Sequence, residues 1–460
     1  MPFPIELRGR NVLVVGLARS GVAAARLAAS RGARVRATDR RVATELGPLA
    51  ELEAAGVELA LGGHDAADFT RADLVVVSPG VPLSLPEIGE ARRQGVPVVA
   101  EVELAWRLLP ELPLVGITGT NGKSTTTALA GSLLQRHRRT FVGGNLGTPL
   151  SELLLSGRPV EAVVLELSSF QLEGIERLHP TVAACLNVTP DHLDRYPDLE
   201  AYAAAKARLF AHQGPGDLAV ANARDPRTLA MAASSPGEAW SFGFGPPARR
   251  AARDVSGGDG PCEIVVTSSS GAAERFRVAA RSLRGRHNRE NAMAAVLCAR
   301  RLGVPAAEIQ AGLDTFPGLP HRLELVREHA GVEWVNDSKA TNVDSTQVGL
   351  AAFPADGPRV LLIMGGRGKG APYTPLRPLF PGRVKALFTV GEDAPAVERD
   401  LGDLCPTERA GTLAAAVVQA AAAAAPGDVV LLSPACASYD QFRSYEERGD
   451  AFRRLAVELR

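Results

Sequence analysis

The chain has 460 residues, of which 51 are basic and 51 acidic, and hydrophobic residues make up 46% of it. That length is too great for one ordinary core and predicts about three domains. A formal net charge of zero provides no bulk field for a nucleic acid or an anionic membrane.

The five cysteines lack C-x-x-C spacing, which argues against a zinc site or a disulfide framework and fits a reducing compartment. The first ten residues hold no apolar secretory segment. The longest weakly polar run, about residues 413 to 425, is mostly alanine and contains Gln419. A cytoplasmic protein without membrane insertion is expected.

In chain order, an apolar run at 11–15 ends at Gly16-Leu17-Ala18-Arg19-Ser20-Gly21, a helix-like stretch follows to about 31, and a second strand ends at Asp39. This is the layout of a dinucleotide-binding turn with Ala18 in place of the middle glycine. A bound nucleotide is expected there, the alternative being a Rossmann-like domain that only packs. A buried strand at 74–77 runs into Ser78-Pro79-Gly80, at the end where open parallel sheets bind ligands.

Leu114 and Val115 then lead into Gly116-Ile117-Thr118-Gly119-Thr120-Asn121-Gly122-Lys123-Ser124-Thr125, and a helical segment follows. Strand, glycine-rich loop and helix make a phosphate cradle. Backbone N–H groups converge on the anion, Lys123 adds a point charge, and Ser124 or Thr125 offers a hydroxyl to Mg²⁺. Ile117 occupies the first glycine position of the usual pattern, so the loop is a variant. Asn145 sits in a glycine-flanked turn. Glu166 ends an apolar strand ahead of Ser168-Ser169-Phe170-Gln171, where a carboxylate suits Mg²⁺; an edge-exposed Glu is the alternative.

A strand at 182–188 runs into Asp191-His192-Leu193-Asp194-Arg195-Tyr196. Beyond it, Asp198 reads as an N-cap, and Leu199, Tyr202, Ala203, Lys206, Leu209 and Phe210 share one helical face. Two readings of Lys206 stay open. Either it carries its charge to the rim of the stripe, or it is buried, partly neutral and able to react with CO₂ to form a carbamate. His192 is likewise open between a structural and a functional role. Residues 236–260, rich in Gly, Pro, Ala and Arg, read as a surface connection, and 263–278 as a small hairpin. Asn288 opens an alanine-rich helix, as its N-cap or as a base contact.

After a Pro/Gly-rich boundary comes Arg322. Strands ending near 335, 364 and 432 run into polar or glycine-rich loops, and ligands are expected at that rim. The expected fold class is α/β in three domains. These are a Rossmann-like domain at 1–100, a central P-loop ATPase-like domain with a mostly parallel sheet at 101–317, and a C-terminal Rossmann-like domain at 318–460.

The ordered set Gly119 to Thr125, Glu166 to Gln171, Asp191-His192-Leu193-Asp194, Lys206, His287-Asn288, His321-Arg322 and Asp337-Ser338-Lys339-Ala340-Thr341-Asn342 resembles the ATP-dependent Mur ligases over essentially the whole chain. The short first domain and the stretches 366–370 and 433–442 are most similar to members that join D-glutamate to UDP-N-acetylmuramoyl-L-alanine in peptidoglycan precursor synthesis. The resemblance implies a monomer that makes an acyl phosphate from ATP. It implies contacts to ATP from Gly119, Thr120, Asn121, Gly122, Lys123, Ser124, Thr125, Asn288, Arg322 and Asp337.

Ser124, Glu166, His192 and a carbamylated Lys206 would hold two Mg²⁺ ions, and Lys123, Glu166, His192 and Lys206 would be the catalytic groups. Leu17, Ala18, Arg19, Ser20, Asp39, Ser78, Pro79 and Gly80 would hold the uridine diphosphate, and Asn145 and Ser169 the muramoyl peptide. Lys339, Thr341, Lys369, Ser438 and Tyr445 would receive D-glutamate. Closure of the third domain over ATP is implied. Two residues depart from the family pattern: Arg40 replaces a small hydroxyl residue after Asp39, and Tyr445 replaces a phenylalanine. An NAD-dependent dehydrogenase would rest on the first domain alone. A non-catalytic nucleotide-gated binding protein gives no reason for Lys123 and Lys206.

Overall fold

In the computed structural model, which describes residues 5–145, 147–246, 248–256 and 262–459, Asn11–Val15 lies at the centre of a five-stranded parallel sheet. Its order is Glu58–Leu61, Arg34–Asp39, Asn11–Val15, Leu74–Val77, Val98–Ala100. The strands at 12–15 and 74–77 are buried throughout, which is why they read as unbroken apolar runs rather than alternating ones. The order reverses between these two strands, so the turns that follow them lie together: Ser78 Oγ donates to the Gly16 carbonyl at 2.6 Å. Gly21 is required there, since a Cβ would fall 1.8 Å from that carbonyl oxygen.

The second sheet has nine strands in the order Ala273–Val278, Cys262–Thr267, Ala251–Asp254, Glu238–Phe244, Leu218–Asn222, Val182–Cys185, Leu114–Thr118, Ala162–Glu166, Thr140–Gly144. From Ala251–Asp254 onward the pairings are parallel, and Cys262–Thr267 adds antiparallel to that edge. Two of these strands correct the surface connection expected at 236–260. Phe242, Ala251 and Ala252 are buried in the sheet, and composition averaged over the stretch hid two short apolar runs. Residues 247 and 257–260 of that stretch lie outside the described residues.

Helix Glu101–Leu108 joins the first sheet to the second and is fastened by two buried acids. Glu101 accepts the Ser151 N–H at 2.7 Å, and Glu103 accepts the N–H groups of Glu176, Arg177 and Leu178 at 3.0 to 3.1 Å. A carboxylate is retained in such a place only with partners of this kind.

The third sheet runs Glu324–His329, Val332–Asn336, Val429–Leu432, Val360–Gly365, Val384–Val390, Thr407–Gly411, parallel except for the first strand. Alternate residues of Val360–Gly365 feed two cores. Leu362 and Met364 pack with Leu376 and Phe380 on one face, and Leu361 and Ile363 with Trp334 and Phe452 on the other. The described residues group into two compact units: the first two sheets fall mainly in one (within Met1–Val255, Glu263–Phe276 and Asn291–Gly312), and the third sheet in the other. Among the described residues no helix is long and apolar enough to cross a membrane.

Candidate active site

The phosphate loop links strand Leu114–Thr118 to helix Lys123–Gln135. Gly122 adopts φ +86°, and a Cβ there would lie 2.3 Å from Asn291 Oδ1. Asn291 also accepts the Thr126 hydroxyl at 3.2 Å, so this residue, missed in the sequence, sits on the loop. Its signal was helical spacing, one turn beyond Asn288. Lys123 Nζ donates to the carbonyls of Gly119 and Thr120 at 2.8 and 2.7 Å, and Lys206 Nζ donates to the same Gly119 carbonyl at 2.9 Å.

Asp198 caps the Lys206 helix, accepting the Ala201 N–H at 2.8 Å. Lys206 is 1% exposed and does not reach the rim of its stripe. Burial, and next the charge of Lys123, pull its pKa from 10.5 to about 7, so a large share is free amine at neutral pH. The ring of Tyr202 lies 4.3 Å from its nitrogen.

Glu166 lies on the adjoining strand, paired with Ile117. Its Oε1 accepts Asn145 Nδ2 at 2.5 Å, while Oε2 is buried without a partner, an acceptor that suits a cation. Ser124 is buried in the first turn of the loop's helix, and Ser169 is buried at the start of helix Ser169–Glu173. His192 is exposed and holds φ +54°, with its ring 4.7 Å from Phe170 and 6.2 Å from Tyr202. His192 and Lys206 thus flank Tyr202. Among the described residues no three His, Cys, Asp or Glu side chains form a ready ligand cluster.

At the rim of the first sheet, Asp39 accepts the Leu17 N–H at 2.7 Å, and Arg41 at 2.9 to 3.0 Å through its N–H, Nε and Nη2. Burial pushes this carboxylate up, but those hydrogen bonds outweigh it and hold the pKa at about 2. Ala18 is the N-cap of helix Arg19–Ser30, Ser20 lies in its first turn, and Arg19 donates to the Gly147 carbonyl. Arg40 is exposed.

In the other unit, Asp337 is buried at the end of strand Val332–Asn336 and accepts Ser433 Oγ at 2.8 Å and the Leu323 N–H at 3.2 Å. Burial raises its pKa to about 7. Arg322 Nε is buried without a partner. Asn288 lies within the first turn of helix Arg286–Arg301, where it donates to the Arg284 carbonyl at 3.0 Å, and so is not its N-cap. Lys339 and Thr341 follow Asp337, with Lys339 Nζ 5.3 Å from the Tyr445 ring. Lys369 is exposed and Ser438 buried.

Burial and then Glu446 push the Tyr445 hydroxyl up to about 12, so it stays protonated. Arg448, also missed in the sequence, fastens this rim. It is 3% exposed and donates to Ser338 Oγ at 3.0 Å and to the carbonyls of Ser338 and Cys436 at 2.9 and 3.1 Å. His192, His321 and Ala435 all hold positive φ in the loops of these candidate sites. Four of the chain's five lysines are among the residues above; the fifth, Lys385, donates to Asp428.

Family models match along the chain: the Mur ligase MurD-like N-terminal domain at 10–100, the Mur ligase middle domain at 117–299, and the Mur ligase glutamate ligase domain at 321–436. The chain is 71% identical to the UDP-N-acetylmuramoylalanine--D-glutamate ligase of Anaeromyxobacter dehalogenans over 98% of each chain. It is 50% identical to the enzyme of that name from Myxococcus xanthus, over 99% of this chain and 100% of the other. Its fold is shared with the UDP-N-acetylmuramate-alanine ligase of Thermotoga maritima, at TM-score 0.56 and 20% identity, over 98% of this chain and 100% of that one. A pseudomurein peptide ligase type C from Methanothermus fervidus gives TM-score 0.58 at 19% identity, with the same coverage. With the N-terminal, middle and C-terminal domains matched in order and half or more of its residues shared with full-length relatives, the chain belongs to the Mur ligase family.

Proposed function

We propose that the protein is an ATP-dependent ligase that joins D-glutamate to UDP-N-acetylmuramoyl-L-alanine, releasing ADP and phosphate, in cytoplasmic peptidoglycan precursor synthesis. The observation that carries this reading is the convergence of Lys123 and Lys206 on the Gly119 carbonyl, next to a strand whose Glu166 keeps one buried oxygen unpartnered. A carboxylate is a poor acyl donor. An oxygen of the muramoyl-L-alanine carboxylate therefore attacks the γ-phosphorus and ADP leaves. The amine of D-glutamate then attacks the acyl carbon, loses a proton, and phosphate departs from the tetrahedral intermediate.

Lys123 and the loop N–H groups offset charge on the β and γ phosphates through the transfer. Ser124, Glu166, His192 and a carbamylated Lys206 would hold two Mg²⁺ ions, which would offset phosphate charge when bound. The free-amine fraction of Lys206 supports the carbamate, since the neutral amine is the form that adds CO₂. Asn288, Arg322 and Asp337 serve ATP. Leu17 to Ser20, Asp39 and Ser78 to Gly80 hold the uridine diphosphate, and Asn145 and Ser169 the muramoyl peptide. Lys339, Thr341, Lys369 and Ser438 take the two carboxylates of D-glutamate, with Tyr445 as an aromatic wall. We divide this monomer at residues 100 and 317 into substrate, ATP and amino-acid domains.

The test supplies ATP, Mg²⁺ and UDP-N-acetylmuramoyl-L-alanine, then D-glutamate, L-glutamate, L-lysine or meso-diaminopimelate separately. Phosphate release that follows D-glutamate is expected. Release that ignores it and follows another amino acid overturns the substrate assignment.

A further inference from the structure

We propose that Arg195 is a positioning residue that ties the turn holding the uridine diphosphate to the loop carrying His192, so that filling the first site organises the second. The proposal rests on the functional reading above. The Arg195 guanidinium reaches two parts of the first unit at once. Nη1 donates to the Pro79 carbonyl at 2.9 Å and Nη2 to the Val81 carbonyl at 3.4 Å, on the turn after strand Leu74–Val77. Nη2 also donates to Glu173 Oε2 at 2.7 Å, and the guanidinium carbon lies 4.0 Å from the centre of the Phe170 ring.

The other side of the contact leads to the candidate metal site. Phe170 is the ring that sits 4.7 Å from His192. The Arg195 N–H donates to the His192 carbonyl at 2.9 Å, closing the turn in which His192 holds its left-handed conformation. A non-glycine residue keeps that backbone only where its surroundings enforce it. Tyr196, next in the chain, donates to the second oxygen of Glu173, and its ring lies 5.2 Å from Tyr202. The Tyr202 hydroxyl is 3.4 Å from Thr120 Oγ1 in the phosphate loop. One cation thus spans the Ser78–Gly80 turn, the His192 turn and, through Glu173 and the tyrosines, the phosphate loop. A planar guanidinium spreads its donors over two carbonyls and a carboxylate while lying against the Phe170 ring, an arrangement that a compact ammonium reproduces poorly.

The test compares wild type, Arg195→Ala and Arg195→Lys by melting temperature, calorimetric binding of UDP-N-acetylmuramoyl-L-alanine without ATP, and the Mg²⁺ concentration that half-saturates turnover at low and high concentrations of that substrate. Wild type is expected to need less Mg²⁺ once the uridine site is filled. In Arg195→Ala, substrate binding weakens about tenfold and the Mg²⁺ requirement no longer responds to it, while the KM for D-glutamate stays put. Arg195→Lys should restore the melting temperature more than the coupling. If Arg195→Ala does not fold, Glu173→Gln decides, with a smaller loss of coupling in the same direction. Coupling that persists in the folded variant overturns the role of Arg195, as does an equal loss for every ligand. A wild type that ignores D-glutamate overturns the functional reading instead.

Discussion

The two lysine pairs of this protein are built on opposite principles. Lys123 and Lys206 share one carbonyl, and Lys206 is stripped of water. Lys369 lies exposed, and Lys339 stands beside the face of Tyr445. Burial and a like charge push an ammonium toward the free amine, which is what CO₂ capture requires. The exposed Lys369 side chain is open to a carboxylate arriving from solvent. In the proposed reading, surroundings alone make the same side chain nucleophilic in one unit and electrostatic in the other.

The contrast can be broken most forcefully at Lys123. Lys123→Ala should lower kcat in a phosphate-release assay by about 100-fold or more, and it should also raise the pKa of Lys206 by removing its neighbour's charge. Lys206→Ala should lose activity to a similar or slightly smaller degree and regain part of it with added formate or acetate; an unaffected mutant would leave Lys206 as a mere anchor for the loop.

A stability measurement isolates burial from chemistry. With CO₂ excluded, the folded chain releases the Lys206 proton near pH 7 and the unfolded chain near 10.5. The unfolded state therefore binds more protons in that window, and this residue's contribution to stability rises as pH rises through it. Lys206→Met should flatten that part of the profile of urea midpoint against pH, and identical slopes would show that burial does not set the charge. In the other unit, Lys369→Ala should raise the KM for D-glutamate about tenfold with kcat nearly held, the worth of one charge-assisted hydrogen bond. A fall in kcat without a KM change would erase the contrast. Tyr445→Phe, which removes only a protonated hydroxyl, should change that KM by about twofold at most.

Much of this was legible because it is local. The phosphate loop announces itself through small residues between a strand and a helix, and the Asp198 cap through its place ahead of an amphipathic run. What escaped depends on partners far along the chain. Lys206 was ambiguous because its acceptor, Gly119, lies 87 residues earlier, and Arg448 was invisible because it closes on Ser338, 110 residues away. Strands Glu238–Phe244 and Ala251–Asp254 were hidden for a different reason: the glycines and prolines between them dominate the composition of the stretch.

The scarcity of lysine has a spectroscopic consequence. Of 51 basic residues only five are lysines, and four of those are candidate site residues. Reductive methylation with ¹³C-formaldehyde would place labels on very few side-chain nitrogens, with Lys385 held by Asp428 as an internal reference. The methyl spectrum of the intact enzyme would then be almost entirely a spectrum of its candidate sites, with each ligand expected to move its own resonance.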